Sequence, residues 1–362
     1  MHRVDRLFLD RACELAERAR GNTSPNPCVG AVLVRDGVVV GEGYHHRAGL
    51  PHAEVVALSA AGDARGATAY VSLEPCNHHG KTPPCAQALV DAGVVRVVVG
   101  TRDPNPKAGG GIATLQAHDI AVEVVEDPRA RAMTEAFRVG VVRERPHLSL
   151  KIAASLDGFI GSQAGVRTQL TGPEWGEFVR DLRIANDAVM VGARTVRIDD
   201  PWLTVRPPHH RLQPYRRIVA CQSDTLSQTA HVFAAVEEYK PTIVLAPHGA
   251  RERLANLANV ADVLFVGEKD AARLDLTAAM RALRRRGFQS ILCEGGPTLA
   301  GGLLEAGLVD RLYWGIAPTF LQAPGAVPAL AGTDLATLHP GLSVDRSERF
   351  GDDLMISGTF HV

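Results

Sequence analysis

The sequence predicts an α/β protein built as two domains, and three observations carry that expectation. The chain has 362 residues, more than one hydrophobic core ordinarily organises. Strand-like apolar runs alternate with helical segments along its length, the rhythm of mixed sheets covered by helices. That rhythm breaks near Arg143–His147, where a helical stretch gives way to a new strand. The expected domains are 1–145 and 146–362.

Asp5–Arg20 mixes charged and apolar residues at helical spacing and forms the first helix. Val29–Arg35 and Val38–Val40 flank Asp36-Gly37, a dipeptide suited to a two-residue hairpin turn. His52–Ala61 is a helix, and Thr68–Leu73 a strand running straight into Glu74-Pro75-Cys76. Cys85–Ala92 is a helix stopped by Gly93. Val94–Gly100 and Ala121–Val125 are strands, and Met133–Val142 is helical. Beyond the break, strands fall at Leu148–Ala154, Ala188–Val191, Arg217–Ala220, Thr242–Ala246, Val263–Val266 and Ser290–Cys293. Helices at Glu174–Ala185 and Leu276–Arg286 separate some of them, and another begins near Pro297-Thr298.

Hydrophobic residues make up 46% of the chain and charged ones 22%, which is a globular composition. A formal net charge of −1 supplies no field to draw in nucleic acid or a membrane surface. The opening MHRVDRLFLDRACELAERAR lacks the unbroken apolar core of a signal peptide, and no apolar run reaches a membrane span. A cytoplasmic protein is expected. With no export signal, the six cysteines do not suggest a disulfide framework. Cys221 and Cys293 sit in apolar strands as packing residues, and Cys13 belongs to the first helix. Only Cys76 and Cys85 lie among Pro, His and Gly.

Those two cysteines, with His52-Ala53-Glu54, are the parts of a zinc deaminase. Imidazole and thiolate donors hold Zn²⁺ at three positions and leave a fourth for water. The ion brings that water's pKa towards neutrality, so hydroxide can attack a ring carbon bearing an exocyclic amine. Glu54, two residues after His52, is placed to carry a proton to the departing ammonia. Helix amino termini at His52 and the cysteines would favour the thiolate. A structural zinc site needs four protein ligands. Here only His78 or His79 could add a fourth, and such a site has no use for Glu54. One departure is plain: eight residues, Asn77 to Pro84, separate the cysteines, where zinc deaminases commonly have two.

NTSPNPCVGAVLV, HAEVVAL, EPCNHHGKTPPC and DPNP closely resemble the deaminase half of the bifunctional riboflavin-biosynthesis deaminase–reductases. The resemblance extends over essentially the whole chain. It implies a cytidine-deaminase-like αβα domain whose longer intercysteine loop helps hold a diaminopyrimidinone carrying a phosphoribosylamino group. Asn26, His45, His78, Lys81, Asp103 and Asn105 would contact that substrate. Lys81 offers charge to a phosphate, and Asn26 a hydrogen-bonding edge to the ring.

LKIAASLDGFIG, DLRIANDAVMVGARTVRIDDPWLTVR and ILCEGGPTLAGGLLEAGLVD resemble the reductase half, which is built like dihydrofolate reductase. That implies NADPH-dependent reduction of the ribosyl group to ribityl. Lys151, Arg167, Arg183, Leu203, Arg206 and Glu294 would lie on the substrate side. The forked guanidinium of arginine suits phosphate oxygens. Ala153, Gln169, Thr195, Asp199, Gly295, Gly296, Pro297 and Thr298 would lie on the cofactor side. There the glycines admit phosphates to the backbone and the following helix offers amides. The pattern is not G-x-G-x-x-G, so a Rossmann domain is not indicated. The chain departs from the family at Gln169, where a tryptophan usually packs on the cofactor, and at Arg167, near a usual serine. Arg167 is expected to compensate by pairing with a cofactor phosphate. A homodimer or larger homo-oligomer is the family's implication for assembly. Three alternatives remain open: a deaminase with an inert reductase half, another nucleoside or RNA deaminase, and a non-catalytic zinc-stabilised binding module.

Overall fold

The computed structural model describes residues 3–78, 83–205, 215–234, 240–269, 271, 273–332 and 341–360. The chain divides into two units, Met1–Glu144 and Arg145–Val362. No helix among the described residues is long and apolar enough to cross a membrane.

The first unit runs α1 (Arg3–Glu17), β1 (Gly30–Arg35), β2 (Val38–Tyr44), α2 (Ala53–Ala61), β3 (Thr68–Val71), α3 (Cys85–Asp91), β4 (Arg96–Val99), α4 (Gly111–Ala117), β5 (Ala121–Val124) and α5 (Pro128–Val142). Its sheet has the order β2-β1-β3-β4-β5. The Asp36-Gly37 turn has φ of 52° and 77°, as a two-residue hairpin requires. β1 pairs antiparallel with β2 and β3, whereas β3, β4 and β5 run parallel. The period of two along β1 sorts its side chains. Ala31 and Leu33 pack with α2, α3 and α4 through Ala57, Leu89 and Leu115. Val32 and Val34 pack with α1 through Leu9, Ala12 and Leu15. An αβα sandwich results. Asp5 ties α1 down: Tyr70 Oη donates to it at 2.7 Å and Arg96 at 2.8 and 3.1 Å.

The second unit comprises β6 (His147–Ser155), β7 (Phe159–Gly161), α6 (Pro173–Ala185), β8 (Ala188–Gly192), α7 (Ala193–Asp199), β9 (Arg216–Ala220), β10 (Thr242–Ala246) and β11 (Asp262–Phe265). It continues with α8 (Leu276–Arg285), β12 (Ser290–Cys293), α9 (Pro297–Glu305), β13 (Arg311–Ala317), β14 (Val327–Pro328), β15 (Leu342–Phe350) and β16 (Asp353–Phe360). Nine strands form one sheet, β11-β10-β9-β8-β12-β6-β13-β16-β15. All neighbours from β11 to β13 are parallel, and β16 and β15 add an antiparallel edge. Leu148, Leu150 and Ile291 pack on one face against Met280 and Leu283 of α8 and Leu303 of α9. On the other face, Val189 and Val191 meet Val196 of α7, and Trp175 of α6 lies over Gly315. A Cβ at Gly315 would fall 2.6 Å from the Trp175 ring, so the close approach needs glycine. Arg145 and Asp310 form a buried ion pair at 2.6 and 2.9 Å, and Asp310 also accepts the Leu148 amide.

The chain lays β8 to β11 outward in one direction, then inserts β12 between β8 and β6. This is the switch point at which open α/β sheets gather ligand residues beyond their strand ends. Both short helices α4 and α7, strand β13 and the β15–β16 hairpin are absent from the reading of the sequence.

Candidate active sites

In the first unit a cavity of about 410 Å³ collects residues from six segments. Asn26 comes from the lead into β1, His45 from the end of β2, and His52 and Glu54 from the start of α2. Glu74, Cys76 and His78 follow β3, Asp103 and Asn105 follow β4, and Phe137 reaches in from α5. Because β3 and β4 are parallel neighbours, their following loops leave the sheet at one end.

His52 caps α2 and Cys85 opens α3. Cys76 corrects the expectation that both cysteines stand at helix starts, since it lies in the loop after β3. Its sulfur nevertheless meets the amino end of α3, accepting the Cys85 amide at 3.4 Å. One donor atom each from His52, Cys76 and Cys85 lie within 4.8 Å of one another. His52 Nδ1 is 3.3 Å from Cys85 Sγ and 3.6 Å from Cys76 Sγ. Tetrahedral zinc with ordinary bond lengths holds N and S about 3.5 Å apart, so the donor set fits the ion. His78 lines the cavity outside this trio; His79 and Lys81 lie outside the described residues.

The two sulfurs compete for one proton. The Cys85 thiol, helped by His52, stabilises a Cys76 thiolate and pulls that thiol's pKa down, whereas the same bond and burial push Cys85 up. The bond to Cys76 raises the pKa of His52. Glu54 is buried at 3% exposure, and desolvation pushes its carboxyl up to about 7. Desolvation also lifts Asp103 to about 6. His45, expected to touch substrate, already has contacts at both ring nitrogens: Nδ1 lies 3.1 Å from Pro51 O, and Nε2 3.1 Å from the Asn26 amide nitrogen.

Glu74 carries a role that sequence reading did not assign. Its carboxylate accepts the amides of Asp103 at 3.2 Å, Gly110 at 3.1 Å and Ile112 at 3.3 Å. Gly111 lies so close to Pro75 that a Cβ there would fall 1.8 Å from the Pro75 oxygen.

In the second unit the polar residues gather at the sheet's switch point. Cys293 lies opposite Leu150 in register, which brings Glu294 alongside Lys151. Arg183 of α6 donates to both Glu294 oxygens at 2.6 and 2.8 Å and to Thr204 O at 3.1 Å. Burial pushes the Glu294 carboxyl up, but Arg183 outweighs it and the net shift is down. Burial lowers Lys151, against the opposing pull of Glu294. Ala153 packs against the Trp175 cluster. Leu203, expected in the substrate cleft, instead buries its side chain in the core with Val189 and Val196, on a backbone with φ of 50°.

Gly295, Gly296, Pro297 and Thr298 form the turn from β12 into α9, which Gly296 caps. A Cβ on Gly296 would come 3.3 Å from Thr195 Oγ1, so the missing side chain leaves a cradle beside the helix start. That cradle fits a cofactor's phosphates. Arg167 is exposed and attracts the Asp199 carboxyl, whose pKa burial raises. Gln169 is exposed and donates to Thr171 O at 2.9 Å. Arg206 lies outside the described residues.

Comparison with known proteins adds to this geometry. Residues 2–101 match the family model for the cytidine and deoxycytidylate deaminase zinc-binding region, and residues 146–356 that for the RibD C-terminal domain. The riboflavin biosynthesis protein RibD of Escherichia coli is 41% identical over 332 residues, 88% of each chain. That of Aquifex aeolicus is 36% identical over 358 residues, 98% of each. Among solved structures, Acinetobacter baumannii RibD superposes with a TM-score of 0.85 at 33% identity, over 99% of both chains. A Thermotoga maritima protein described as a diaminohydroxyphosphoribosylaminopyrimidine deaminase/5-amino-6-(5-phosphoribosylamino)uracil reductase gives 0.88 at 31%, again over 99% of both.

A deaminase zinc region followed by a reductase domain defines a bifunctional enzyme that uses zinc and NADPH. The chain belongs to the RibD family of riboflavin-biosynthesis proteins.

Proposed function

We propose that residues 1–145 hydrolytically deaminate 2,5-diamino-6-(5-phosphoribosylamino)pyrimidin-4(3H)-one. Residues 146–362 then reduce its ribosyl group to ribityl, giving 5-amino-6-(5-phosphoribitylamino)uracil. The observation that carries this reading is the convergence of His52, Cys76 and Cys85 beside buried Glu54, in a cavity also lined by Asn26, Asp103 and Asn105.

His52, Cys76 and Cys85 hold zinc, which when bound supplies Lewis acidity towards water. Glu54, with a pKa lifted to about 7, takes the proton of the attacking water and returns it to the amino group, which departs as ammonia. A single carboxyl within reach of the water and of the leaving amine serves both transfers. Asn26, Asp103 and Asn105 orient the pyrimidine and its sugar arm, with His78 and Lys81 at the loop between the cysteines.

In the second unit NADPH, when bound at the Gly295-Gly296 turn with Thr195, Asp199, Ala153, Gln169, Pro297 and Thr298, supplies the hydride. Lys151, held beside Glu294 and Arg183, protonates the ring oxygen as the sugar opens. Arg183 and Arg206 hold the substrate phosphate, and the backbone at Leu203 shapes the approach. Arg167 answers the cofactor's phosphate in place of an aromatic platform. The enzyme works in the cytoplasm as a homodimer or larger homo-oligomer.

A coupled assay on the phosphoribosyl diaminopyrimidinone, following ammonia and NADPH in one tube, tests the proposal. One ammonia and one oxidised NADPH per substrate are expected. Ammonia without NADPH oxidation overturns the reductase half, and no ammonia overturns the deaminase half.

A further inference from the structure

We propose that Glu74 is a positioning residue for the substrate-facing loop of the deaminase cavity, holding Asp103 and Asn105 in place through backbone amides. This rests on the deaminase reading of that cavity.

Glu74 is 7% exposed and stands two residues before Cys76. Its Oε2 accepts the Asp103 amide, and its Oε1 the amides of Gly110 and Ile112. One carboxylate therefore clasps both ends of the segment 103–112. Inside the clasp the turns are self-bonded: the Asn105 amide donates to Asp103 Oδ1 at 2.8 Å, and the Lys107 amide to Asn105 Oδ1 at 3.1 Å. The Asn77 amide donates to Ala108 O at 2.8 Å, a further fastening to the Cys76 loop. The side chains of Asp103 and Asn105 are thus held at a fixed offset from the zinc donors by a carboxylate whose two oxygens are occupied by three backbone amides.

Only a carboxylate can do this. Both of its oxygens accept, and hydrogen bonds to an ionised acceptor are about twice as strong as neutral ones. A glutamine in its place turns an NH₂ group towards a backbone N–H, so one end of the clasp opens while the volume stays the same.

The test is Glu74→Gln in the full, zinc-loaded chain. It reads zinc per chain, kcat and KM for the phosphoribosyl diaminopyrimidinone, and amide hydrogen exchange across 103–112. Expected are full zinc occupancy, KM raised about tenfold, and kcat within about threefold, as losing a charged hydrogen bond implies. Exchange in the segment should quicken by about tenfold or more while β3 and β4 stay protected. Lost zinc, an unchanged KM, or unchanged exchange overturns the proposal. If the unaltered enzyme releases no ammonia from this substrate, the deaminase reading fails by itself, and the exchange comparison still decides the role of Glu74.

Discussion

In the first unit, His52 and Cys85 are 33 residues apart and meet as nitrogen and sulfur at 3.3 Å. In the second, Arg183 and Glu294 are 111 residues apart and meet as a two-pronged ion pair at 2.6 and 2.8 Å. The first set consists of donors with no cation of their own; they trade a proton, and their worth lies in the ion they bind. The second set pairs a guanidinium with a carboxylate from within, before any ligand arrives. A site of the first kind can lose its chemistry and keep its fold. A site of the second kind is expected to lose stability along with its chemistry when one partner is removed.

The largest expected effect is at Cys76. Cys76→Ser should strip the metal and bring ammonia release to background, while reduction of separately supplied deaminated substrate continues. Metal analysis alongside the two half-assays reads this, and a parallel loss of reduction would erase the contrast between the sites. Glu54→Gln should keep stoichiometric zinc yet slow deamination by about 10²–10⁴, the usual worth of a general acid–base group. Retained turnover refutes its proton-carrying role.

Arg183→Ala should strike the second site in both ways. Glu294 is left with 10% of its side chain exposed and no guanidinium. A destabilisation of about 3 kcal/mol is expected, the low end for breaking a buried pair because a fifth of Arg183 remains solvent-exposed. Urea unfolding measures it; unchanged stability with lost reduction would make this site resemble the first. The smallest effect is a pH shift. Burial already lowers Lys151, and the Glu294 charge works against that fall. Glu294→Gln removes the opposing charge, so Lys151 gives up its proton at lower pH. The alkaline limb of NADPH oxidation should move towards neutrality, and a limb that stays put removes Lys151 from proton transfer.

The zinc trio was readable in the sequence because a histidine, two cysteines and a nearby acid seldom coincide without chemistry. Some parallel strands were readable for a similar reason: Thr242–Ala246 is a mostly apolar run between two prolines, and Ser290–Cys293 one between Gln289 and Glu294. Helices α4 and α7, at seven residues each, are too short to display a helical period, whereas the equally short α3 is marked by the stop signal of Gly93. Strand β15 reads LSVDRSERF and is mostly exposed, so it shows none of the apolar alternation of a buried strand. Glu74 was visible only as a letter before Pro75-Cys76; three amides from a segment 29 to 38 residues further on give it meaning. The Leu203 side chain lies in the core, which the sequence did not show, so any substrate contact there is a matter for its backbone.

The Arg145–Asp310 pair fixes where this protein can be cut. Asp310 lies at the threshold of β13, and its guanidinium partner is the first residue of the second unit. A carboxy-terminal fragment beginning one residue later, at Pro146, keeps every strand of the nine-stranded sheet and discards the cation paired with Asp310 at the head of β13. A reductase half begun at Pro146 should therefore be less stable, by about 3–5 kcal/mol, than one that keeps this arginine.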